Sequence, residues 1–161
     1  MQNQTDFFQV LAGRHMYPLY ALFFISVGLY LQNRKRLKNA KLKLNGIVDE
    51  ILGSQAEVNS EPDANIIQQK LIDAFRNDKG FFDAGIIRYE SDAIVPCFSG
   101  FTIILSNHFN AHRLISEKLN RDGKDLIIKL PGKTLLMKYL INNYWAVVIL
   151  KPLLFPLIRQ K

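Results

Sequence analysis

Cysteine is nearly absent from this sequence, and its scarcity limits the chemistry of the chain. Cys97 is the single cysteine among 161 residues, so no disulfide can form within the chain. Secreted domains of this size commonly depend on such cross-links, whereas proteins of reducing compartments do without them. We therefore expect most of the chain to lie on the cytoplasmic side of a cell.

Complete catalytic and nucleotide-binding motifs are also missing. Pro131-Gly132-Lys133-Thr134 matches the end of a phosphate-binding P-loop, but the glycine required five positions before Gly132 is replaced by Ile127. A hairpin turn explains these four residues better. The sequence contains neither a Gly-x-Ser-x-Gly elbow nor a Cys-x-x-Cys pair. The prediction is a protein that is not an enzyme and has no cofactor.

A few isolated side chains could still carry chemistry. His108 and His112 are four residues apart, a spacing that directs two imidazoles the same way on a helix, and Cys97 could supply a third metal ligand. Cys97 or Ser99 could act as a nucleophile with His108 as base. The simpler interpretation is that the histidines cap or cover the fold and that the cysteine is a small buried apolar residue.

Acidic residues are scarce in the first quarter of the chain. Residues 1–44 carry seven Lys/Arg against Asp6 alone, whereas residues 45–161 carry fourteen against thirteen acids. The net charge of +7 therefore comes mostly from a basic collar near the N-terminus: Arg34, Lys35, Arg36, Lys38, Lys41 and Lys43. Charge concentrated in this way favours a membrane surface over nucleic acid as the partner.

One apolar run precedes the collar and dominates the organisation of the chain. A transmembrane helix is predicted over residues 16–33, although the sixteen positions of its apolar run, 16–31, reach only about 24 Å of the roughly 30 Å hydrocarbon core. Its expected membrane-anchoring residues are Tyr17, Tyr20, Phe23, Phe24, Ile25 and Tyr30. Aromatic residues near the two ends of such a run suit the headgroup zone. A cleaved secretory signal has basic residues before its apolar segment and a cleavage site with small residues after it. This run has neither, so we expect it to be retained.

The charge distribution also predicts an orientation. Arg14 is the only Lys/Arg before the apolar run, and the collar follows it directly. By the positive-inside rule the N-terminus should face outward and the C-terminal part should face the cytoplasm. The sequence thus predicts a single-pass protein of the cell inner membrane. A bacterial origin is inferred only from this plan of an anchor followed by a small domain.

Six segments are predicted along the chain. Residues 1–15 form an interfacial segment, 16–33 the span, 34–53 a basic stalk helix, 54–62 a linker, 63–150 a cytoplasmic α+β domain and 151–161 an apolar tail with prolines. Apolar residues at positions 37, 40, 44, 47 and 51 form a stripe on the stalk. That stripe could pair with a second copy of the chain or pack on the chain's own domain.

The domain is predicted to contain two helices and about five strands in a mostly antiparallel sheet. The first helix should begin near Pro62 or Asp63, and the second should end near Arg121. A bent strand is expected over residues 93–106, and a three-stranded meander after residue 125, with turns at Pro131-Gly132 and Asn142-Asn143. Residues 133–141 would also fit one face of a helix.

The C-terminal tail is apolar, and its two prolines do not allow a regular helix. We predict that it contacts the membrane or a partner through Leu153, Leu154, Phe155, Leu157 and Ile158. An alternative is a second span over residues 144–158, which Lys151 and the prolines oppose.

The order of helix, two strands, helix, three strands over residues 62–150 resembles that of roadblock and profilin-like domains. The resemblance rests on element order, and no functional residue is transferred from it. It implies a domain that pairs with itself or docks other proteins.

These features predict a structural or adaptor subunit that presents its domain to a multiprotein membrane assembly of the transport, secretion or conjugation type. Its expected partners are membrane lipid, other subunits of the complex and a second copy of itself, without nucleic acid. The alternative is a membrane-tethered sensor that binds a small ligand around Cys97, Phe98, Phe101 and His108. An enzyme using Cys97 or the histidines is a third hypothesis.

Overall fold

The computed structural model describes residues 13, 16–55, 63–91, 93–121 and 123–153. The helices are α1 (Tyr17–Gln55), α2 (Ala64–Phe75), α3 (Ser99–Asn107) and α4 (Ala111–Arg121). The strands are β1 (Phe81–Glu90), β2 (Ala93–Pro96), β3 (Asp125–Leu130), β4 (Lys133–Tyr139) and β5 (Tyr144–Leu150). The predicted α+β class and the predicted five strands are confirmed, but the described part of the chain has four helices.

All five strands belong to one antiparallel sheet with the order β2-β1-β5-β4-β3. Strand β5 is its centre and is buried along its whole length. Two of the turns that connect strands of the sheet are those expected from the sequence. Gly132 adopts a φ of 70° between β3 and β4, and Asn142 and Asn143 both have positive φ before β5. Two consecutive residues with positive φ give a turn whose twist matches that of a hairpin.

Helices cover both faces of the sheet, so the domain has three layers. On one face, α1 and α2 contribute Leu44, Val48, Leu71 and Phe75 to a core with β1, β4 and β5. On the other face, α3 and α4 pack on the sheet through residues such as Phe101 and Ile115. Burial on both sides explains why β5 is a nearly continuous apolar run rather than an alternating one.

The predicted stalk is a helix of the domain rather than a free connection. Helix α1 continues without a break to Gln55, and Ala40, Leu44, Val48 and Ile51 are buried against the sheet and α2. The apolar stripe therefore packs on the chain's own domain, which was one of the two alternatives. The linker predicted over 54–62 lies mostly outside the described residues.

The transmembrane helix predicted over residues 16–33 is not supported. In the residues that the structure describes, no helix combines the length and the apolar character that are needed to cross a membrane. The apolar part of α1 extends from Tyr17 to Leu31, which at 1.5 Å per residue is about 22 Å. Gln32 and Asn33 then end the apolar run before the basic collar begins.

The strand predicted over residues 93–106 is confirmed for Ala93–Pro96, but its bent continuation to residue 106 is wrong. Strand β2 ends at Pro96, and α3 begins at Ser99. Phe98, Phe101 and Ile104 are spaced by three residues and are buried together on the sheet, which is the period of a helix face rather than a strand. The β-branched residues of this segment suggested a strand, but tertiary packing determined the outcome.

An aspartate from β1 caps α3. Phe98, at the N-cap position, makes no side-chain capping bond, and Gly100 instead donates its backbone N–H to Asp83 Oδ2 at 2.9 Å. Asp83 Oδ1 accepts the N–H of Ala84 at 2.8 Å. A side chain at position 100 would collide with Asp83, whose Oδ2 and Cβ lie 2.2 and 2.6 Å from an ideal Cβ there. Gly100 is thus required for this close approach.

Replacing Asp83 with alanine should lower the free energy of unfolding by about 1–2 kcal/mol, because the first turn of α3 loses its acceptor. Denaturant unfolding of the full chain measures this change. Asp73→Ala is the matched control, since Asp73 is half-exposed and pairs with Arg76, the C-cap residue of its own helix, at 3.5 Å. Its expected cost is about 0.5 kcal/mol or less, and equal losses in the two variants would contradict the capping role of Asp83.

The remaining sequence predictions agree with the fold in most places. Asp63 caps α2 and accepts the N–H groups of Asn65 and Ile66 at 2.9 and 3.3 Å. Residues 133–139 are a strand, which resolves the ambiguity between strand and helix. The alternative of a second span is wrong for residues 144–150, because they form the central strand. Leu154, Phe155, Leu157 and Ile158 lie outside the described residues.

Candidate functional site

The N-terminal half of α1 leaves the domain with apolar side chains exposed on all sides. We call residues 17–31 the apolar arm. Phe24 is 69% exposed, Tyr17 67% and Tyr30 63%, and these values are unusual for large apolar residues that follow one another along a helix. The other exposed apolar side chains of the arm are Leu19, Tyr20, Leu22, Phe23, Ile25, Val27 and Leu31. A helix that is apolar all round is normally buried in a large core or in lipid.

The basic collar lies where the arm meets the domain, and the domain holds part of it. Lys43 pairs with Asp78 at 3.0 Å and lies over the ring of Phe75, with its Nζ 4.8 Å from the ring centre. Lys41 lies 3.9 Å from Asp125. Arg34, Lys35 and Lys38 are exposed. The inner part of the collar therefore attaches α1 to the domain, and the outer part presents charge to the surroundings.

Arg36 connects the collar to the end of the central strand. Its Nη2 donates to the carbonyl oxygen of Lys151, while Lys151 donates its N–H to the carbonyl oxygen of Gly80 at 2.7 Å. Gly80 has a φ of 77°, and a side chain there would come within 2.8 Å of Arg36 Nη1. The glycine thus allows the guanidinium to lie against the start of β1. Burial lowers the pKa of Arg36, and the charge of Asp78 opposes that shift.

Asn33 ties the beginning of the tail to the same place. Its side-chain oxygen accepts the N–H of Leu153 at 3.1 Å, and its Nδ2 donates to the carbonyl oxygen of Leu153 at 3.4 Å. Leu153 is partly buried. Of the five tail residues predicted to contact lipid or a partner, it is the one that the structure describes, and it lies beside α1 at the base of the arm.

The two histidines considered as a metal pair do not lie on one helix. His108 is the C-cap of α3, where its N–H donates to Ile104 O at 3.1 Å, and His112 belongs to α4. A break between two helices therefore separates them, so the i, i+4 geometry is lost. No group of three His, Cys, Asp or Glu side chains able to hold a metal ion occurs in the described ranges. Cys97, His108 and His112 accordingly do not form such a group.

The residues of the proposed nucleophilic centre are placed far apart. Ser99 is the first residue of α3 and His108 follows its last residue, so about 13 Å of helix separates them at 1.5 Å per residue. A base must approach its nucleophile to hydrogen-bond distance. Phe98 and Phe101, the expected walls of a ligand pocket, are core residues, and the ring of Phe98 covers Gly85.

The exposed cysteine provides a chemical probe of the domain. Partial burial raises the pKa of the Cys97 thiol, and the charge of Arg88 partly offsets this effect. The thiolate is the reactive form, so at pH 8 the native chain should react with a maleimide more slowly than the urea-unfolded chain. Its rate should keep rising with pH after that of the unfolded chain levels off.

Labelling reactions that are quenched at successive times and analysed by mass spectrometry check this prediction. Arg88→Gln is the companion variant, and it should slow native labelling further because it removes the charge that favours the thiolate. Labelling of the native chain as fast as that of the unfolded chain at pH 8 would contradict the raised pKa.

Sequence reasoning found the arm and the collar but missed the contacts that join them to the sheet. The bond from Arg36 to Lys151 spans 115 positions of sequence, and the Asn33–Leu153 pair spans 120. No local pattern marks such partners, because spacing within one element reports only on that element.

Comparison of the chain with known proteins gives no match: no protein-family model, no curated protein and no solved structure matches it.

Proposed function

We propose that this chain is a membrane-attached structural or adaptor subunit. In this proposal the apolar arm is inserted in lipid, the outer collar lies among headgroups, and the α+β domain is held at the cytoplasmic face for other subunits of a membrane assembly. The observation that carries the proposal is the exposure of the arm on all sides, within the same helix whose other half is packed into the domain.

Lipid covers this arm better than a second helix would. A helix pair buries one stripe of each partner, whereas the exposed residues Phe23, Phe24 and Ile25 are consecutive and so point in three directions around the axis. Tyr17, Tyr20 and Tyr30 lie near the two ends of the arm, where amphipathic rings favour the interface. Arg34 and Lys35 follow within a turn of Leu31, at the depth where cations meet headgroups.

Flotation of the full-length chain with vesicles of pure phosphatidylcholine tests lipid insertion. These vesicles carry no net charge, so recovery in the floating fraction depends on apolar burial rather than on the collar. We expect the chain to float and to remain with the vesicles after washing at pH 11. A chain that stays at the bottom of the gradient would refute insertion of the arm.

The finer form of the proposal is a single crossing with the N-terminus outside and the domain in the cytoplasm of a bacterial cell. It is supported by the position of the collar after the apolar run. The exposed Cys97 allows a direct test, since it is the sole cysteine of the chain. A membrane-impermeant maleimide should label it in inverted inner-membrane vesicles and not in spheroplasts.

A second variant completes the topology test. Asn3→Cys in a Cys97→Ser background should show the opposite pattern if the arm crosses the membrane. Labelling of both cysteines on the cytoplasmic side would overturn the crossing and leave the weaker form, in which the arm enters from one side.

The adaptor role has its own test. Purification of the native chain in a mild detergent should recover defined partner proteins or a homo-oligomer of fixed size. A monomer without bound proteins, obtained under conditions that keep the domain folded, counts against this role.

A further inference from the structure

A cleft of about 470 Å³ opens beside α1 at the base of the apolar arm. Its walls are the segment of α1 that follows the arm and the connection between α2 and β1. The residues that bear on its chemistry are Gln32, Lys35, Arg36, Asn39, Lys43 and Lys79. Gln32 is the first residue after the arm, so the cleft begins where the apolar surface ends.

The cleft carries an excess of positive charge. Among the described residues that line it, four are basic and Asp78 is the one acid. Lys43 already pairs with Asp78 at 3.0 Å. Asp78 also attracts Arg36, but one carboxylate faces four cations, so the described lining keeps an excess of positive charge. The amides of Gln32 and Asn39 add neutral donors on the same wall.

Arg36 is held at the edge of this group by the fold. Its Nη2 donates to Lys151, but its Nε and Nη1 are buried and have no acceptor among the described residues. Because Nε and Nη1 are closed off from solvent, Arg36 acts on the cleft through its charge, and the exposed ammonium groups of Lys35 and Lys79 are the donors available to an anion. Arg36 also lines a second cleft of about 280 Å³ with Arg34 and Lys129 on the other flank of α1.

We propose that the cleft lined by Lys35, Arg36 and Lys79 binds the phosphate group of an anionic ligand. At a membrane, the ligand would be an acidic phospholipid whose chains lie along the apolar arm. The lipid source rests on the proposed function, whereas phosphate binding itself does not. A soluble phosphate ester offers the same chemistry to these side chains, and the experiment separates the two sources.

Isothermal titration of the full-length chain in a neutral detergent supplies the test. The first probe is glycerol 3-phosphate, and the second is dihexanoyl phosphatidylglycerol below its micelle concentration. We expect saturable binding of at least one probe with one site per chain. Binding of glycerol 3-phosphate indicates a soluble ligand, and binding of the short-chain lipid alone indicates a lipid. Absence of saturable binding for both probes overturns the proposal.

The variants distinguish a site from general attraction. Lys35→Gln and Lys79→Gln should each weaken binding about tenfold, because each removes a charge-assisted contact. Lys38→Gln is the matched control: Lys38 is an exposed lysine three residues along the same helix but is absent from the cleft wall. It should change affinity less than about twofold. Equal losses in Lys35→Gln and Lys38→Gln would overturn the site.

Two further measurements keep the outcome interpretable. The unfolding temperature of each variant without ligand shows that a loss of binding does not reflect loss of the fold. Flotation with pure phosphatidylcholine reports on the arm alone. A chain that floats but binds no phosphate contradicts phosphate binding in the cleft and leaves the membrane proposal standing. A chain that binds phosphate but does not float contradicts the membrane proposal and leaves phosphate binding standing.

Discussion

Replacing Phe24 with arginine is expected to weaken binding to phosphatidylcholine vesicles about a hundredfold. Phe24 is the middle residue of the apolar arm and is 69% exposed, so the substitution leaves the packing of the domain intact. An arginine at the centre of an inserted helix costs about 2.5–3.5 kcal/mol, and each 1.4 kcal/mol is a factor of about ten. Vesicle titration followed by flotation measures the change in partition.

Leu42→Arg is the control for this prediction. Leu42 lies on the same helix and is 60% exposed, but it belongs to the half of α1 that packs on the sheet. We expect its partition to stay within about twofold of the unsubstituted chain, because residue 42 lies outside the arm, between the collar residues Lys41 and Lys43. If Phe24→Arg floated as well as Leu42→Arg, the arm would not be the part of the chain that enters lipid.

Replacing Leu44 with alanine is expected to lower the free energy of unfolding by about 2–5 kcal/mol. Leu44 is 1% exposed and belongs to the core that α1 and α2 form with the sheet. Its truncation removes apolar contacts and leaves a cavity between α1 and the sheet. Urea unfolding of the full chain, followed by the fluorescence of its single tryptophan, Trp145, gives this value.

Leu42→Ala provides the matched comparison, two residues away and exposed. Its expected effect is about 0.5 kcal/mol or less. This pair of variants decides whether the second half of α1 is part of the domain or a separate stalk. Similar small effects at both positions would favour the stalk, and a large effect only at position 44 establishes the packed helix.

The sheet was predictable because its signals are local. Asp125–Leu130 and Tyr144–Leu150 belong to the meander predicted after residue 125, and each lies next to a predicted turn whose residues have a definite conformational role. Gly132 supplies one positive φ, and Asn142 and Asn143 supply two. Such residues define where a strand must stop regardless of what packs on it.

Helix α3 was not predictable in the same way. Its sequence is rich in residues that favour strands, and its N-terminus lacks a local side-chain cap. The group that caps it, Asp83, is 17 positions earlier in the chain. Only the folded sheet brings the carboxylate to Gly100, so a pattern limited to residues 93–106 carries no trace of it.

The candidate site also has one part that local sequence predicts and one part that only the fold brings together. Composition alone identified the arm and the collar, because their apolar and basic residues are consecutive. The cleft depends on Lys35, Arg36 and Lys79, and Lys79 joins the other two only through the packing of α2 and β1 against α1. Sequence spacing between residues 36 and 79 carries no information about that proximity.

Helix α1 is continuous from Tyr17 to Gln55, so the orientation of the arm around the helix axis is fixed relative to the sheet. One residue inserted after Gln32 would turn the arm by about 100° relative to the sheet and lengthen the helix by about 1.5 Å. The arm itself would tolerate that turn, because it is apolar in every direction. The same insertion after Arg36 would turn Asn33 and Arg36 together with the arm, so Asn33 would lose its bonds to Leu153 and Arg36 its bond to Lys151. The end of β5 and the start of the tail would then no longer be attached to α1.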